Sequence, residues 1–189
     1  MIATVNNTPW THWIADNFLS VECLDEVKSV RHTVPQLVPG KRVDSARLFI
    51  DESQADVYPH LYALWQSLHS GQYKDFFENC TGIDYTGLYP RVEVISDIGD
   101  FYLEPHCDLE EKRLTALVYT NYESLYPGTG LGNGTRVESQ DNRCFFFVPG
   151  PHSLHDYPAT HFKTVRRCLQ INYWTYSSSS QPEYQTTQA

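Results

Sequence analysis

The sequence predicts a mainly β domain of the sandwich, jelly-roll or barrel kind, with its helices gathered toward the N-terminus. Three observations predict it. Apolar residues in the first 80 or so positions repeat at helical spacing, and from Arg91 onward the repeat changes to two. The two-period runs are short and separated by Gly- and Pro-rich turns, which argues against a parallel α/β sheet. Finally, 189 residues with 41% hydrophobic and 14% aromatic content suffice for the core of one domain. A disordered scaffold, a collagen-like chain and a coiled coil are excluded on the same composition.

The elements follow in order. A first helix begins after Ser20, a good N-cap residue, with Cys23, Leu24, Val27 and Val30 at helical spacing, and Pro35 prevents its continuation. A second carries Val57, Leu61, Leu64, Trp65 and Leu68 on one face, with Pro59 in its first turn and Gly71 at its end. A third, short one holds Tyr73, Phe76, Phe77 and Cys80 and stops near Gly82. Strands are predicted over residues 91–95, 114–119, 136–138, 144–148 and 167–174. Turn-rich stretches at 97–100, 126–130 and 132–134 separate them. Loops 36–51 and 122–133 are long enough to serve as lids. One domain is expected over residues 1–176, with a helical part to about 88 and a β core over 89–176. The Ser-rich segment 177–189 is expected to be a disordered tail.

Charge and cysteine content narrow the function. Fourteen Lys and Arg against 23 Asp and Glu give a net charge of −9, a field that repels polyanions. The densest basic stretch is Lys163, Arg166 and Arg167, too short for a nucleic-acid groove. No run approaches the roughly 18 apolar residues of a membrane span, and the first residues carry no signal-peptide pattern. Five cysteines without a Cys-x-x-Cys pair indicate neither a disulfide framework nor a zinc ribbon. A cytoplasmic protein acting on a small molecule, an amino acid or a peptide is therefore expected.

The most informative segment is Leu103-Glu104-Pro105-His106-Cys107-Asp108. Two residues apart on an extended segment, His106 and Asp108 face the same side and can share one metal ion, while Cys107 points away. Further on, the chain reads Pro149-Gly150-Pro151-His152-Ser153-Leu154-His155-Asp156-Tyr157. Arg166 follows His155 by eleven residues and opens the last strand. On that strand Arg166, Cys168, Gln170, Asn172 and Trp174 share one face, and Arg167, Leu169, Ile171 and Tyr173 the other. The apolar set belongs against the helices, which leaves Arg166 facing a pocket and Arg167 near the surface.

A His-x-Asp pair, a distant His and an Arg about ten residues later on the last core strand together resemble the Fe(II)- and 2-oxoglutarate-dependent oxygenases. The compact prolyl-hydroxylase-like branch is the nearest likeness. Trp13-Ile14-Ala15-Asp16-Asn17-Phe18-Leu19 resembles that branch's opening, and Gly134-Thr135 stands where it has a Gly-Gly-x-Thr stretch. The resemblance implies a double-stranded β-helix (a cupin-like jelly roll) buttressed by the N-terminal helices. It implies Fe(II) held by His106, Asp108 and His155, with 2-oxoglutarate and O2 as co-substrates. Two imidazoles and one carboxylate on one face of a metal leave three positions open, as this chemistry needs.

His152 and His161 compete with His155, and the family spacing to Arg166 selects His155. Arg166 matches the arginine that meets the far carboxylate of 2-oxoglutarate, for which a planar guanidinium fork is suited. Tyr119 matches a tyrosine directed at the same carboxylate, and Leu117, on the same face, would wall the pocket. Cys168 departs from the small hydroxylated residue common two positions after the arginine and is a weaker donor. Asp108 disfavours the related halogenases, which carry Gly or Ala there. Arg91, Glu93 and Tyr157 are candidate substrate contacts. The alternatives are a metal-binding cupin-like module without redox catalysis and a non-enzymatic module that binds partners through its helices.

Overall fold

The computed structural model describes residues 1–31, 46–120 and 126–176. The elements are strands β1 (Thr4–Asn6) and β2 (His12–Ala15), helix α1 (Val21–Ser29) and strand β3 (Ala46–Ile50). After a short 3-10 turn at Glu52–Gln54 come helices α2 (Pro59–His69) and α3 (Gln72–Thr81). Strands β4 (Tyr89–His106), β5 (Lys112–Tyr119), β6 (Arg143–Phe147) and β7 (His155–Trp174) complete the chain.

Local chemistry explains the helices. The Ser20 hydroxyl accepts the Cys23 N–H at 3.2 Å, and Glu22 and Lys28 lie at the helix ends that favour their charges. Helix α2 starts at Pro59, which has no N–H to satisfy, and no side chain of its own caps it. The Glu26 carboxylate of α1 does so instead, accepting the N–H groups of His60 and Leu61 at 3.1 and 2.8 Å. Helix α3 ends on Gly82 at φ 72°, a left-handed conformation that glycine adopts without strain. No helix among the described residues is long and apolar enough to cross a membrane.

The strands pair antiparallel in the order β1-β2-β6-β5-β7-β4-β3. Strands β4 and β7 are longer than the sequence pattern suggests, because they pair from Tyr89↔Trp174 to His106↔His155. Register shifts at Asp97/Gly99, Phe101/Leu103 and Leu103/His106 interrupt this ribbon, as bulges do where a strand must bend. Its first half lies in the large sheet between β5 and β3. Its second half pairs within itself and bridges from Asp156 to Gly130. The Phe147 ring of the large sheet lies 5.0 Å from the His155 ring of the second half, so two β layers face each other. This is the expected jelly roll.

One face of the large sheet packs on the helices. Val92, Val94, Leu114, Val118, Phe146, Leu169, Ile171 and Tyr173 join Val27, Leu61, Leu68 and Phe77 in one buried cluster. Leu169, Ile171 and Tyr173 are on the helix side, as their parity predicts, and Arg167 lies there too, donating from Nε to Val30 O at 2.9 Å. Leu61 is fully buried at the centre of this layer. Leu61→Ala is expected to lower unfolding free energy by about 2–5 kcal/mol, seen as a lower urea midpoint at unchanged slope.

The structure corrects several expectations. The first 88 residues are not only helical, since β1, β2 and β3 extend the sheet at both edges. Strands of three to five residues are too short to display a period. Residues 136–138 form no strand; Arg136 makes a single bridge to Gly130. Part of the loop expected over 36–51 is β3, while its residues 36–45 lie outside the described residues, as do 122–125 of the second loop and the 177–189 tail.

Candidate metal centre

The second half of the β4–β7 ribbon brings three side chains together. His106 is the last residue of β4, His155 the first of β7, and the two are direct partners across the ladder. Their ring centroids are 4.3 Å apart. Asp108 follows in the turn toward β5, and one ligating atom from each of the three lies within 4.8 Å of the others. Among the described residues this is the one such group of His, Cys, Asp or Glu side chains.

Hydrogen bonds prepare these groups as ligands. The His106 Nδ1–H donates to Glu104 O and the His155 Nδ1–H to Ser153 O, both at 2.9 Å. A backbone carbonyl only accepts, so each ring carries its proton on Nδ1 and turns Nε2 away from that bond, an arrangement typical of metal-bound histidine. Burial lowers the His155 pKa and favours its neutral, ligating form. Burial alone would raise the Asp108 pKa. The Lys112 ammonium at 2.7 Å and the Thr115 hydroxyl at 2.6 Å outweigh that, so its carboxyl sits below the ordinary value and is ionised at neutral pH. Two imidazoles and a carboxylate with oriented supports fit a divalent iron ion.

The competing histidines lie elsewhere. His152 is exposed in the turn before β7, and His161 pairs with Asp100 at 2.8 Å on the surface. Cys107 turns its thiol to Pro151 O at 3.5 Å, away from the three.

The inner face of the large sheet supplies a cationic end to this space. Arg166 is buried on the predicted face, its Nη1 2.5 Å from Asp97 Oδ2 and its guanidinium carbon 4.6 Å from the Tyr157 ring centre. Burial pulls its pKa down, but Cys168, Asp97 and Tyr157 raise it, so it stays charged. Tyr157 is two residues beyond His155, a step of about 6.6 Å along a strand. Through Tyr157, Arg166 and His155 are joined by one stretch of β7. Tyr119 is also buried here, its hydroxyl 2.7 Å from Thr129 Oγ1. Burial raises its pKa, so it is a neutral phenol able to donate. A Cβ on Gly128 would fall 1.4 Å from Val137 O, so only glycine lets this segment lie close enough to set Thr129 against Tyr119.

Leu117, half-buried, packs beside Tyr119, Phe145 and Phe147 on the same inner wall. Gly134 and Thr135 belong to an exposed turn, where the Thr135 hydroxyl donates to Asn133 Oδ1 at 2.6 Å. Of the three candidate substrate contacts, Tyr157 sits with Arg166. Arg91 and Glu93 lie at the other end of the inner face, Arg91 opposite Asn172 and Arg166 opposite Asp97. Sequence reasoning missed Lys112 and Thr115 beside Asp108, Asp97 beside Arg166, and Thr129 beside Tyr119. Only Lys112 and Thr115 carried a signal, being four and seven residues from Asp108.

No protein-family model and no curated protein sequence matches the chain. Solved structures match in fold. A prolyl-4-hydroxylase from Pseudomonas putida superposes with a TM-score of 0.59 at 17% identity, covering 86% of this chain and 92% of that one. The viral collagen prolyl hydroxylase of Paramecium bursaria Chlorella virus-1, in its 2-oxoglutarate complex, gives 0.58 at 13%, covering 88% and 96%. A non-haem α-ketoglutarate-dependent epimerase from nogalamycin biosynthesis gives 0.59 at 12%, covering 86% and 76%. At these identities the likeness establishes the jelly-roll fold of such oxygenases.

Proposed function

We propose that the chain is a non-haem Fe(II)- and 2-oxoglutarate-dependent dioxygenase that hydroxylates an unactivated C–H bond of a small molecule or amino-acid residue. One observation carries the reading. Two imidazoles and one ionised carboxylate converge within 4.8 Å, and Tyr157, two residues beyond His155, carries a buried arginine, Arg166, over its ring. A metal-binding cupin-like module needs the first half of that arrangement and has no use for the second. The viral prolyl hydroxylase of the same fold is in complex with 2-oxoglutarate and the epimerase is α-ketoglutarate-dependent by name, which supports the co-substrate.

His106, Asp108 and His155 would hold Fe(II), which supplies O2 activation and the oxidative decarboxylation of 2-oxoglutarate. The balanced reaction is R–H + 2-oxoglutarate + O2 → R–OH + succinate + CO2. Arg166 receives the far carboxylate of 2-oxoglutarate with two parallel hydrogen bonds, and Tyr119 donates a third. Leu117, Phe145 and Phe147 keep water from the space between, and no side chain needs to act as acid or base. Lys112 and Thr115 hold Asp108 in one orientation while it ligates. Five unpaired cysteines suit a reducing compartment, and we place the protein in the cytoplasm.

The test is succinate formation by the purified protein across a panel of amino acids and prolyl peptides, with products followed by mass. Succinate that requires both Fe(II) and 2-oxoglutarate, with a product heavier by one oxygen, is the expected result. Metal binding without any 2-oxoglutarate turnover would leave the cupin-like alternative standing.

A further inference from the structure

A chain of buried hydrogen-bonding groups crosses the large sheet and ends on one of the three candidate ligands. Asn172, fully buried on β7, is the direct ladder partner of Thr115 on β5. Thr115 is buried too, and its hydroxyl oxygen lies 2.6 Å from Asp108 Oδ2 and 3.1 Å from Asn172 Oδ1. The Lys112 ammonium holds the other carboxylate oxygen, Asp108 Oδ1, at 2.7 Å.

One proton faces two acceptors here. A threonine hydroxyl has a single proton, while carboxylate and amide carbonyl oxygens only accept. Thr115 therefore donates to one neighbour and must accept from the other or lose that bond. Asp108, a carboxylate at the shorter distance, takes the proton. The contact to Asn172 is then a hydrogen bond only if Asn172 is its donor.

A second observation comes from the other end of the same amide. Asn172 Nδ2 is buried and has no hydrogen-bond partner among the described residues. The two ends of a primary amide have nearly the same shape, so its O and N are assigned from their partners. A half-turn of the amide sets Nδ2 against the Thr115 oxygen and Oδ1 where the unpaired N–H stood. That one rotation removes the proton conflict and pairs the buried donor. It leaves a carbonyl oxygen without a partner, which is better tolerated than an unpaired N–H.

We propose that Asn172 is a positioning residue for the metal centre: its amide donates to Thr115, whose own proton is thereby committed to Asp108 Oδ2. The proposal rests on the reading of His106, Asp108 and His155 as metal ligands and deepens it. With Lys112 on Oδ1 and Thr115 on Oδ2, the carboxylate plane is fixed, and each oxygen keeps a lone pair for the ion. Without the Asn172 donor the Thr115 hydroxyl is free to rotate, and Asp108 loses part of its hold. Asn172 lies on the same strand as Arg166. The strand that carries the arginine for the co-substrate thus also steadies the carboxylate for the metal.

The experiment titrates Co(II), an air-stable stand-in for Fe(II), into the full metal-free chain. Affinity is read from visible absorption, and the melting temperature of the metal-free protein is recorded beside it. Thr115→Val is expected to weaken Co(II) binding by about 10- to 100-fold, the range for a group that orients a metal ligand. Thr115→Ser keeps the hydroxyl and should stay within about threefold of the parent. Asn172→Leu, close in size, should weaken Co(II) about tenfold. Combined with Thr115→Val it should add nothing further, because its effect passes through that hydroxyl. Thr120→Val controls for lost stability, since the buried Thr120 hydroxyl donates to Arg167 O at 2.7 Å, away from Asp108. It should lower the melting temperature and leave Co(II) affinity unchanged. Neutron diffraction from deuterated crystals of the parent reads the chain directly. The Thr115 deuteron should point to Asp108, and the Asn172 atom nearest Thr115 should carry two deuterons. A Thr115 deuteron aimed at Asn172, unchanged Co(II) affinity in Asn172→Leu, or losses that add in the double variant would each overturn the proposal. A parent that binds no Co(II) would overturn the metal centre itself, and the proposal with it.

Discussion

Replacing His155 by alanine is expected to abolish 2-oxoglutarate-dependent succinate formation, and His106→Ala and Asp108→Ala are expected to do the same. Each removes one of three converging ligand atoms, and a metal site with two protein ligands loses affinity and orientation together. His152→Ala and His161→Ala should keep most of the activity, because one side chain is exposed in a turn and the other pairs with Asp100 on the surface. The assay is Fe(II) binding alongside succinate production for the five variants. An active His155→Ala protein together with an inactive His152→Ala one would sink the ligand assignment. Asp108→Ala has a second expected consequence, since it leaves the buried Lys112 ammonium without its carboxylate. Asp108→Asn therefore makes the cleaner partner, keeping the Thr115 contact while removing the charge.

Arg166→Ala is expected to weaken 2-oxoglutarate binding by about 30-fold to more than 1,000-fold, from the roughly 2–5 kcal/mol lost when one partner of a buried charge pair is removed. The same change removes the arginine that pairs with buried Asp97 at 2.5 Å, so a loss of stability will accompany it. Arg166→Gln combined with Asp97→Asn removes both charges and separates the two effects. That double variant should fold, bind iron and still bind 2-oxoglutarate poorly. Arg166→Lys should rescue only in part, because a point charge cannot reproduce the fork. Arg167→Ala faces the helices and loses its bond to Val30 O, costing stability of about 0.5–1.5 kcal/mol. Its 2-oxoglutarate affinity should change by less than about threefold. Equal losses of affinity at 166 and 167 would contradict the inward placement of Arg166.

Much of this arrangement is legible in the sequence. The alternation Leu169, Ile171, Tyr173 against Cys168, Gln170, Asn172 separates the two faces of β7, and with them Arg166 from Arg167. Helices α1, α2 and α3 announced themselves through Ser20, Pro59 and Gly82. Other features depended on contacts between distant segments. The pairing of Asp97 with Arg166 needs the β4–β7 register, and that register shifts one residue later, between Asp97 and Gly99. The capping of α2 by Glu26 spans 34 residues and leaves no local trace. The β3 segment Ala46-Arg47-Leu48-Phe49-Ile50 shows too weak an alternation for a strand, yet it carries Arg47 to Glu93. The sequence marks Glu93 as a candidate substrate contact and gives no sign of its partners. Only the inner-face position made it a buried anion between two arginines.

The account rests on one iron and one 2-oxoglutarate meeting between His106, Asp108, His155 and Arg166. Titration of Fe(II) into the protein with 2-oxoglutarate under nitrogen, followed by visible absorption, tests this most directly. A weak charge-transfer band that saturates at one iron per chain is predicted, absent in His155→Ala and requiring much more 2-oxoglutarate in Arg166→Gln/Asp97→Asn. Iron binding with no band at any 2-oxoglutarate concentration, or a band indifferent to both variants, would contradict it.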